Sequence, residues 1–70
     1  MHPATERLMK FFDHGYLPEE LRWVSEHCAC LAENMNMMLV DGPEKTVALR
    51  KLLEARDGFI RAAMTNETST

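Results

Sequence analysis

The sequence predicts an all-α protein, with a short N-terminal helix followed by an antiparallel hairpin of two longer helices. Three observations lead to this fold class. Glycine and proline are rare, with three of each in 70 residues. No segment alternates apolar and polar residues in the way that a half-buried β-strand does. Six methionines, together with many leucines, alanines and glutamates, favour helix throughout the chain.

Prolines mark the start of the first two helices. Pro3 fits the first turn of a short helix over residues 4–12, because a proline there lacks only an N–H that would be unpaired anyway. The glycine-containing residues 14–16 end that helix. Pro18 then opens a second helix that runs to about Leu39, and the two glutamates that follow Pro18 suit the positive end of a helix dipole.

A turn and a new helix start are combined at Asp41. Asp41 can cap the helix, a proline follows in its first turn, and a glutamate three residues after Asp41 completes a capping-box pattern. The third helix is therefore predicted over residues 43–64. We expect a single domain over residues 1–64 and a polar, flexible tail over residues 65–70.

Each of the two long helices carries two apolar stripes at helical spacing. Those of the second helix are Leu21, Val24, Cys28, Leu31, Met35 and Met38, and beside them Trp23, His27, Cys30, Asn34 and Met37. Those of the third are Leu49, Leu53, Arg56, Ile60 and Ala63, and beside them Ala48, Leu52, Ala55, Phe59 and Ala62. A hairpin buries one stripe of each helix, and the first helix is too short to cover both of the others. The sequence therefore predicts a homo-oligomer.

Charge and composition exclude several classes of function. The formal charge of −3 argues against a binder of DNA or RNA polymers, which is usually basic. No apolar run approaches the ~18 residues of a membrane span, and the N-terminus lacks a signal-peptide pattern. We therefore expect a cytoplasmic protein with no membrane partner.

The charges are also divided along the chain. Residues 13–41 hold one positive and six negative side chains, a net charge of −5, whereas residues 43–64 hold five positive and three negative, a net charge of +2. Opposite charges on the two long helices favour their antiparallel pairing. The alternative is that some of the positive side chains face an anionic ligand.

The residues that most often bind metals or catalyse reactions do not form a recognisable motif. Cys28 and Cys30 are read as two reduced thiols, since on a helix they point about 200° apart and cannot share a zinc ion with His27. No nucleophile motif is present, and His14 has no partner at a defined spacing. We expect no enzyme, no metal and no cofactor.

The connection between the first two helices is rich in groups that could bind a nucleotide. Phe12, His14 and Tyr16 provide two rings and an imidazole, and Arg22 follows on the second helix. Stacking of a base on an aromatic ring contributes about 1–3 kcal/mol, so Phe12 or Tyr16 is predicted to stack a base. The alternative is that these rings pack the first helix onto the hairpin.

The start of the third helix provides a second candidate site. Helix N-termini expose unpaired N–H groups and a positive dipole end, which together attract phosphate. Lys45 adds a cation there and Thr46 adds a hydroxyl. Arg22 or Lys45 is predicted to pair with a phosphate, and the two sites could combine between different chains of an oligomer.

Two stretches of the sequence resemble a known family. The segment DGPEKTVALRKLLEAR, residues 41–56, is similar to the second helix of the hairpin domain shared by phage anti-CBASS and anti-Thoeris sponge proteins, which typically has Arg-Glu-Lys-Ser-Leu-Ala-Leu-x-x-Leu-Glu-Glu-Ala. Upstream, Phe12-x-His14-x-x-x-Pro18 resembles the aromatic-His-Pro element before the family's first long helix. The resemblance covers residues 11–64.

The resemblance implies a non-catalytic protein that sequesters cyclic nucleotide signals of bacterial immunity. Such proteins form oligomers, commonly hexamers, with pockets for cyclic dinucleotides such as cyclic GMP-AMP between protomers. Some members bind cyclic trinucleotides, and relatives bind cyclic ADP-ribose isomers. In an infected host, the site of action would be the bacterial cytosol.

Two departures from the family pattern are visible. Pro43 occupies the position of the family's arginine, which puts a trinucleotide pocket in doubt, and Gly58 replaces part of a Trp-Ala-Asn stretch near the end of the last helix. A glycine within a helix costs up to ~1 kcal/mol relative to alanine and allows the close approach of another chain or a ligand.

The competing hypothesis is a small helical oligomerisation or protein-interaction module of phage origin that has no nucleotide ligand.

Overall fold

The computed structural model describes the backbone of residues 3–12 and 17–68, and the side chains within these ranges up to residue 65. It contains three α-helices, α1 (Pro3–Lys10), α2 (Glu19–Met38) and α3 (Pro43–Thr68), and no strand in the described ranges. The predicted all-α class is confirmed. Residues 14–16, which were predicted to end the first helix, lie outside the described residues.

The first helix ends two residues earlier than predicted. The N–H groups of Phe11 and Phe12 donate to the carbonyls of Leu8 and Met9, at 3.0 and 3.2 Å. These bonds span three residues instead of four, so the chain tightens into a turn after Lys10, as helix ends often do. The turn directs the ring of Phe12 into the core, where it is 3% exposed.

The third helix is longer than predicted. It continues to Thr68, four residues past the expected end at Met64. Residues 65–68 contain neither proline nor glycine, so nothing in the backbone stops the helix, and the hydroxyl of Thr65 donates to the carbonyl of Arg61 at 3.1 Å. The low helix propensity of this polar segment did not end the helix, and residues 69–70 of the predicted tail lie outside the described residues.

The core consists of two clusters that establish the antiparallel hairpin. Near the open end, Leu21 and Val24 at the start of α2 pack with Ala63 near the end of α3. Near the middle, α1 joins the two long helices. That cluster contains Leu8, Phe12, Cys28, Ala32 and Leu49. One end of α2 therefore meets the opposite end of α3, and α1 lies against both helices.

The predicted stripes are correct in outline and wrong at three positions of α2. Most of the first stripe of α2 is buried or half-buried, but Leu31 and Met38 are 46% and 76% exposed, whereas Ala32 is completely buried. The cause is α1, which packs against the side of α2 that carries Ala29 and Ala32. The buried face of α2 is therefore shifted towards α1 and away from Leu31. The second stripe of α2 is entirely exposed, and that of α3 is exposed except for half-buried Leu52.

The molecule is elongated. Its principal extents are 43 × 19 × 17 Å and its radius of gyration is 13.1 Å, compared with about 11 Å for a compact domain of this length. Within the described residues, no helix combines the length and the apolar character that a membrane span requires.

Candidate ligand site

The segment between α1 and α2 is held at both ends by side chains of the hairpin. On one side, Nη1 of Arg56 donates to the carbonyl of Phe11, and Oγ of Ser25 lies 3.5 Å from the carbonyl of Phe12. On the other side, Nε of Arg22 donates to the carbonyl of Leu17 at 2.8 Å. The backbone on either side of residues 13–16 is thus fixed to α2 and α3. His14 and Tyr16 themselves lie outside the described residues.

The first candidate ring is part of the core. Phe12 is 3% exposed, and the guanidinium of Arg56 lies 6.0 Å from its ring centroid. In a single protomer, this ring packs α1 onto the hairpin, as the alternative interpretation of the sequence proposed, and no face is open to a base. Phe11, its neighbour, is 57% exposed.

Arg22 is the most accessible of the predicted phosphate ligands. The residue is exposed on the first turn of α2. A guanidinium has five N–H donors, and the bond from Nε to Leu17 uses one of them. The same bond fixes the direction of the side chain, which therefore lies beside the end of the segment that carries His14 and Tyr16.

Lys45 has a different environment from the one that the sequence suggested. Its side chain is 4% exposed, and its ammonium donates to the carbonyls of Asn36 and Leu39, both at 3.2 Å, and to Oδ1 of Asp41 at 2.5 Å. An ammonium has three N–H donors, so all three have protein acceptors. In the described protomer Lys45 caps the C-terminal end of α2, and a phosphate would have to displace one of these partners.

Thr46 is also engaged within the protomer. Its hydroxyl lies 3.2 Å from the carbonyl of Gly42 and 3.3 Å from the hydroxyl of Thr5, which is fully buried in α1. The pair joins the start of α1 to the start of α3. A cavity of about 280 Å³ adjoins it, and the rest of its lining is apolar or backbone, from Ala4, Gly42, Pro43 and Val47.

The described residues of the two predicted sites lie at opposite ends of α1. Thr5 at one end of α1 contacts Thr46, whereas Phe12 beyond the other end contacts Ser25. Seven residues of mostly helical chain separate Thr5 from Phe12, which corresponds to about 10 Å at 1.5 Å per residue. His14 and Tyr16 lie outside the described residues, so this separation refers to Phe12 and Thr46 alone.

One concave surface was not singled out from the sequence. It is a groove of about 390 Å³ between α2 and α3, which we call the α2–α3 groove. Its walls are the exposed Trp23, His27, Leu31, Phe59 and Ala62 and half-buried Leu52, and its floor is Val24, Cys28 and Ala63. The second stripes of both helices were the signal for it, since they supply most of the walls.

The groove is predominantly apolar and has one ionisable group with a perturbed pKa at its floor. Burial raises the pKa of the Cys28 thiol, and the positive charge of Arg56 partly opposes this effect. The ring of Trp23 meets that of His27 edge to face, with 6.1 Å between centroids. Within the described ranges, no three metal-binding side chains come together. The arrangement suits an apolar or aromatic surface better than a phosphate.

Comparisons with known proteins add no relative. No protein-family model, curated protein sequence or solved structure matches this chain.

Proposed function

We propose that this chain is a phage anti-defence sponge, which binds cyclic oligonucleotide second messengers of bacterial immunity without cleaving them. The observation that carries the proposal is the residue pattern of 41–56 and 12–18, which resembles the hairpin domain of anti-CBASS and anti-Thoeris proteins. The all-helical hairpin is the architecture that this resemblance implies. The ligand class is cyclic dinucleotides, with cyclic trinucleotides and cyclic ADP-ribose isomers as related candidates.

The chemistry of the ligand defines what its site must contain. A cyclic dinucleotide has two negative phosphates and two flat bases, so it needs cations, hydrogen-bond donors and ring faces in one place. Arg22 supports the proposal because it is exposed and its Nε is tied to the carbonyl of Leu17. Tyr16 and His14 are the ring and the imidazole that the sequence places within a few residues of it.

In this proposal, residues of more than one protomer complete the pocket. The candidate groups at the start of α3, Lys45 and Thr46, already bond within the chain. The exposed second stripes of α2 and α3 support a homo-oligomer, and the resemblance makes a hexamer the expected assembly. We propose that the ligand binds between protomers, in the cytosol of the infected bacterium.

Calorimetry with a panel of cyclic nucleotides tests this function. We expect saturable binding of at least one cyclic di- or trinucleotide or cyclic ADP-ribose isomer, and recovery of that ligand intact by chromatography. Arg22→Ala should weaken binding, whereas the matched control Arg50→Ala, which removes the same charge from an exposed position of α3, should not. A linearised product would make the chain a phosphodiesterase, and binding of no ligand in the panel would refute the proposal.

A second candidate function is a helical oligomerisation or protein-interaction module without a nucleotide ligand. The α2–α3 groove favours it, because its walls are apolar and exposed. Thermal unfolding distinguishes the two functions. A ligand at a hundredfold excess over its Kd raises the free energy of unfolding by about 2.7 kcal/mol, so a sponge should show a marked rise in Tm and a plain assembly module should show none.

A further inference from the structure

We propose that the α2–α3 groove is the contact surface for a second copy of this chain, with α2 of each copy lying against α3 of the other. The proposed function includes self-association, and this proposal rests on it because it names the surface through which two copies associate. The position of the groove, the exposed area and the charges of the two helices support it.

The groove lies on the side of the hairpin that α1 does not cover. Ser25, Ala29 and Ala32 of α2 point towards α1, whereas Trp23 and Leu31 lie on the opposite side of the same helix and form the groove wall. The first helix therefore cannot close the groove without leaving the core cluster that it completes. A partner must come from outside the protomer.

The chain exposes more surface than a compact monomer, and two of its exposed aromatic residues lie on the groove wall. The chain exposes 5069 Å², whereas a compact monomer of 8.1 kDa exposes about 4,500 Å². This surplus of roughly 600 Å² belongs to the elongated chain as a whole, and a standard protein interface buries ~800 Å² on each partner. Trp23 and Phe59, at 55% and 58% exposure, are aromatic residues of the kind that dominate binding energy at such interfaces.

The charges along the rims decide which helices become neighbours. The face of α2 that flanks Trp23 is acidic along its length, because Glu19, Glu26 and Glu33 recur every seven residues on one side of the helix. If the α2 helices of two copies were adjacent, these glutamates would face one another. Packing of α2 against α3 of the other copy removes this repulsion.

The corresponding rim of α3 is suited to an acidic neighbour. It begins at Glu44 and then presents Lys51, Gly58 and Thr65 at the same seven-residue interval, so a cation and a glycine lie in its middle. Beside this row are the exposed alanines of the second stripe, which allow helices to approach closely. Across α2 as a whole there are four glutamates and one arginine. The exposed charged side chains described in α3 are balanced, with three cations, Arg50, Lys51 and Arg61, and three acids, Glu44, Glu54 and Asp57.

Gly58 has no explanation within its own chain. A Cβ atom added to it would meet only Nη2 of Arg61, at 3.6 Å, which is an ordinary contact. Glycine lowers the stability of a helix interior relative to alanine, so intrachain packing does not account for it. Contact with the backbone of a second copy does, since only glycine leaves the helix surface bare.

Sedimentation equilibrium of the ligand-free full chain and its variants tests the proposal. Phe59→Glu should raise the dissociation constant of self-association at least about thirtyfold. Met64→Glu is the matched control, because Met64 is also an exposed apolar residue of α3, at 51%, but lies on the opposite side of the helix. It should associate like the unmodified chain. Circular dichroism of each variant verifies that the helices have formed.

A charge exchange gives a second readout that does not depend on the apolar wall. Lys51→Glu and Glu26→Lys should each weaken association by about two- to fivefold, and the double variant should regain most of the loss. A monomeric unmodified chain, or equal association of Phe59→Glu and the unmodified chain, would overturn the proposal. These measurements contain no nucleotide, so they test the interface separately from the sponge function. Association through the groove in a chain that binds no nucleotide would refute only the sponge function. Nucleotide binding by a chain that does not associate through the groove would refute only this interface.

Discussion

The ammonium of Lys45 lies 2.5 Å from Oδ1 of Asp41, across the loop that joins α2 to α3. The same ammonium donates to the carbonyls of Asn36 and Leu39, so its three N–H groups are all used. The last carbonyls of a helix have no partner within it, and α2 ends without a glycine cap. Lys45 therefore replaces the usual C-cap from the first turn of the next helix.

This arrangement predicts that Lys45→Met destabilises the hairpin. Methionine keeps the length of the side chain but leaves the carbonyls of Asn36 and Leu39 without this donor. Hydrogen bonds to a charged group contribute about 1.5–3 kcal/mol each. We expect the free energy of unfolding to fall by about 2–4 kcal/mol, measured by urea denaturation. Arg50→Met, at an exposed position of the same helix, is the control and should change it by less than ~0.5 kcal/mol. Equal losses in both variants would show that Lys45 does not cap α2.

Arg56 is predicted to hold α1 on the hairpin. Its Nη1 donates to the carbonyl of Phe11, and its guanidinium stacks over the ring of Phe12 and pairs with Asp57 at 2.8 Å. Arg56→Lys keeps the charge but cannot make this forked set of bonds, so we expect a loss of about 1–3 kcal/mol in the free energy of unfolding. Arg50→Lys, at an exposed site, is the matched control and should be nearly neutral. Hydrogen exchange of α1 amides should rise in Arg56→Lys, and unchanged exchange would contradict this role.

The buried thiol predicts a loss of stability at alkaline pH. Burial raises the pKa of Cys28 in the folded chain, whereas in the unfolded chain the thiol titrates near ~8.5. The protonated thiol is thus favoured by folding, and its contribution to stability is complete below ~8.5 and is lost as the pH rises through the folded-state pKa. We expect a decline in the free energy of unfolding above this pH that is smaller in Cys28→Ala and unchanged in Cys30→Ala. The same slope in all three proteins would contradict the prediction.

The two cysteines also differ in accessibility. Cys30 is exposed, whereas Cys28 is buried. A thiol reagent should therefore modify Cys30 rapidly and Cys28 only as fast as the chain opens. Mass spectrometry of the partly labelled protein identifies the first site, and initial labelling of Cys28 would indicate that the core cluster around it opens readily.

The fold could be predicted from local signals and the site could not. All three helix starts were predicted to within one residue from Pro3, Pro18 and Pro43. A proline signal is local because the ring of the residue itself fixes its backbone φ angle, whatever its neighbours are. Helix periodicity gave the stripes. The errors at Leu31 and Ala32 arose because the direction from which α1 packs is a tertiary property, and no periodic pattern contains it.

The role of a polar side chain depends on what surrounds it. In the sequence, Lys45 and Thr46 match the residues of a phosphate site at a helix N-terminus. In the structure, their polar atoms already have partners in Asn36, Leu39 and Thr5. The carbonyls that Lys45 binds belong to another helix, and a sequence does not show that they lack donors. The exposure of the second stripes, by contrast, followed from counting stripes against available partners, which needs only the length of each helix.

Trp23 gives a direct view of whether the groove is covered in solution. It is 55% exposed in a single chain and its ring forms part of the groove wall. Contact with a second copy would remove it from water, so its emission should shift to longer wavelength as the protein is diluted below the dissociation constant. Phe59→Glu should show the long-wavelength emission at every concentration, because the partner is absent. Trp23 is the only tryptophan in the chain, so the signal has a single source. Emission that is independent of concentration in the unmodified chain, over the range where sedimentation shows association, would place the second copy on a different surface.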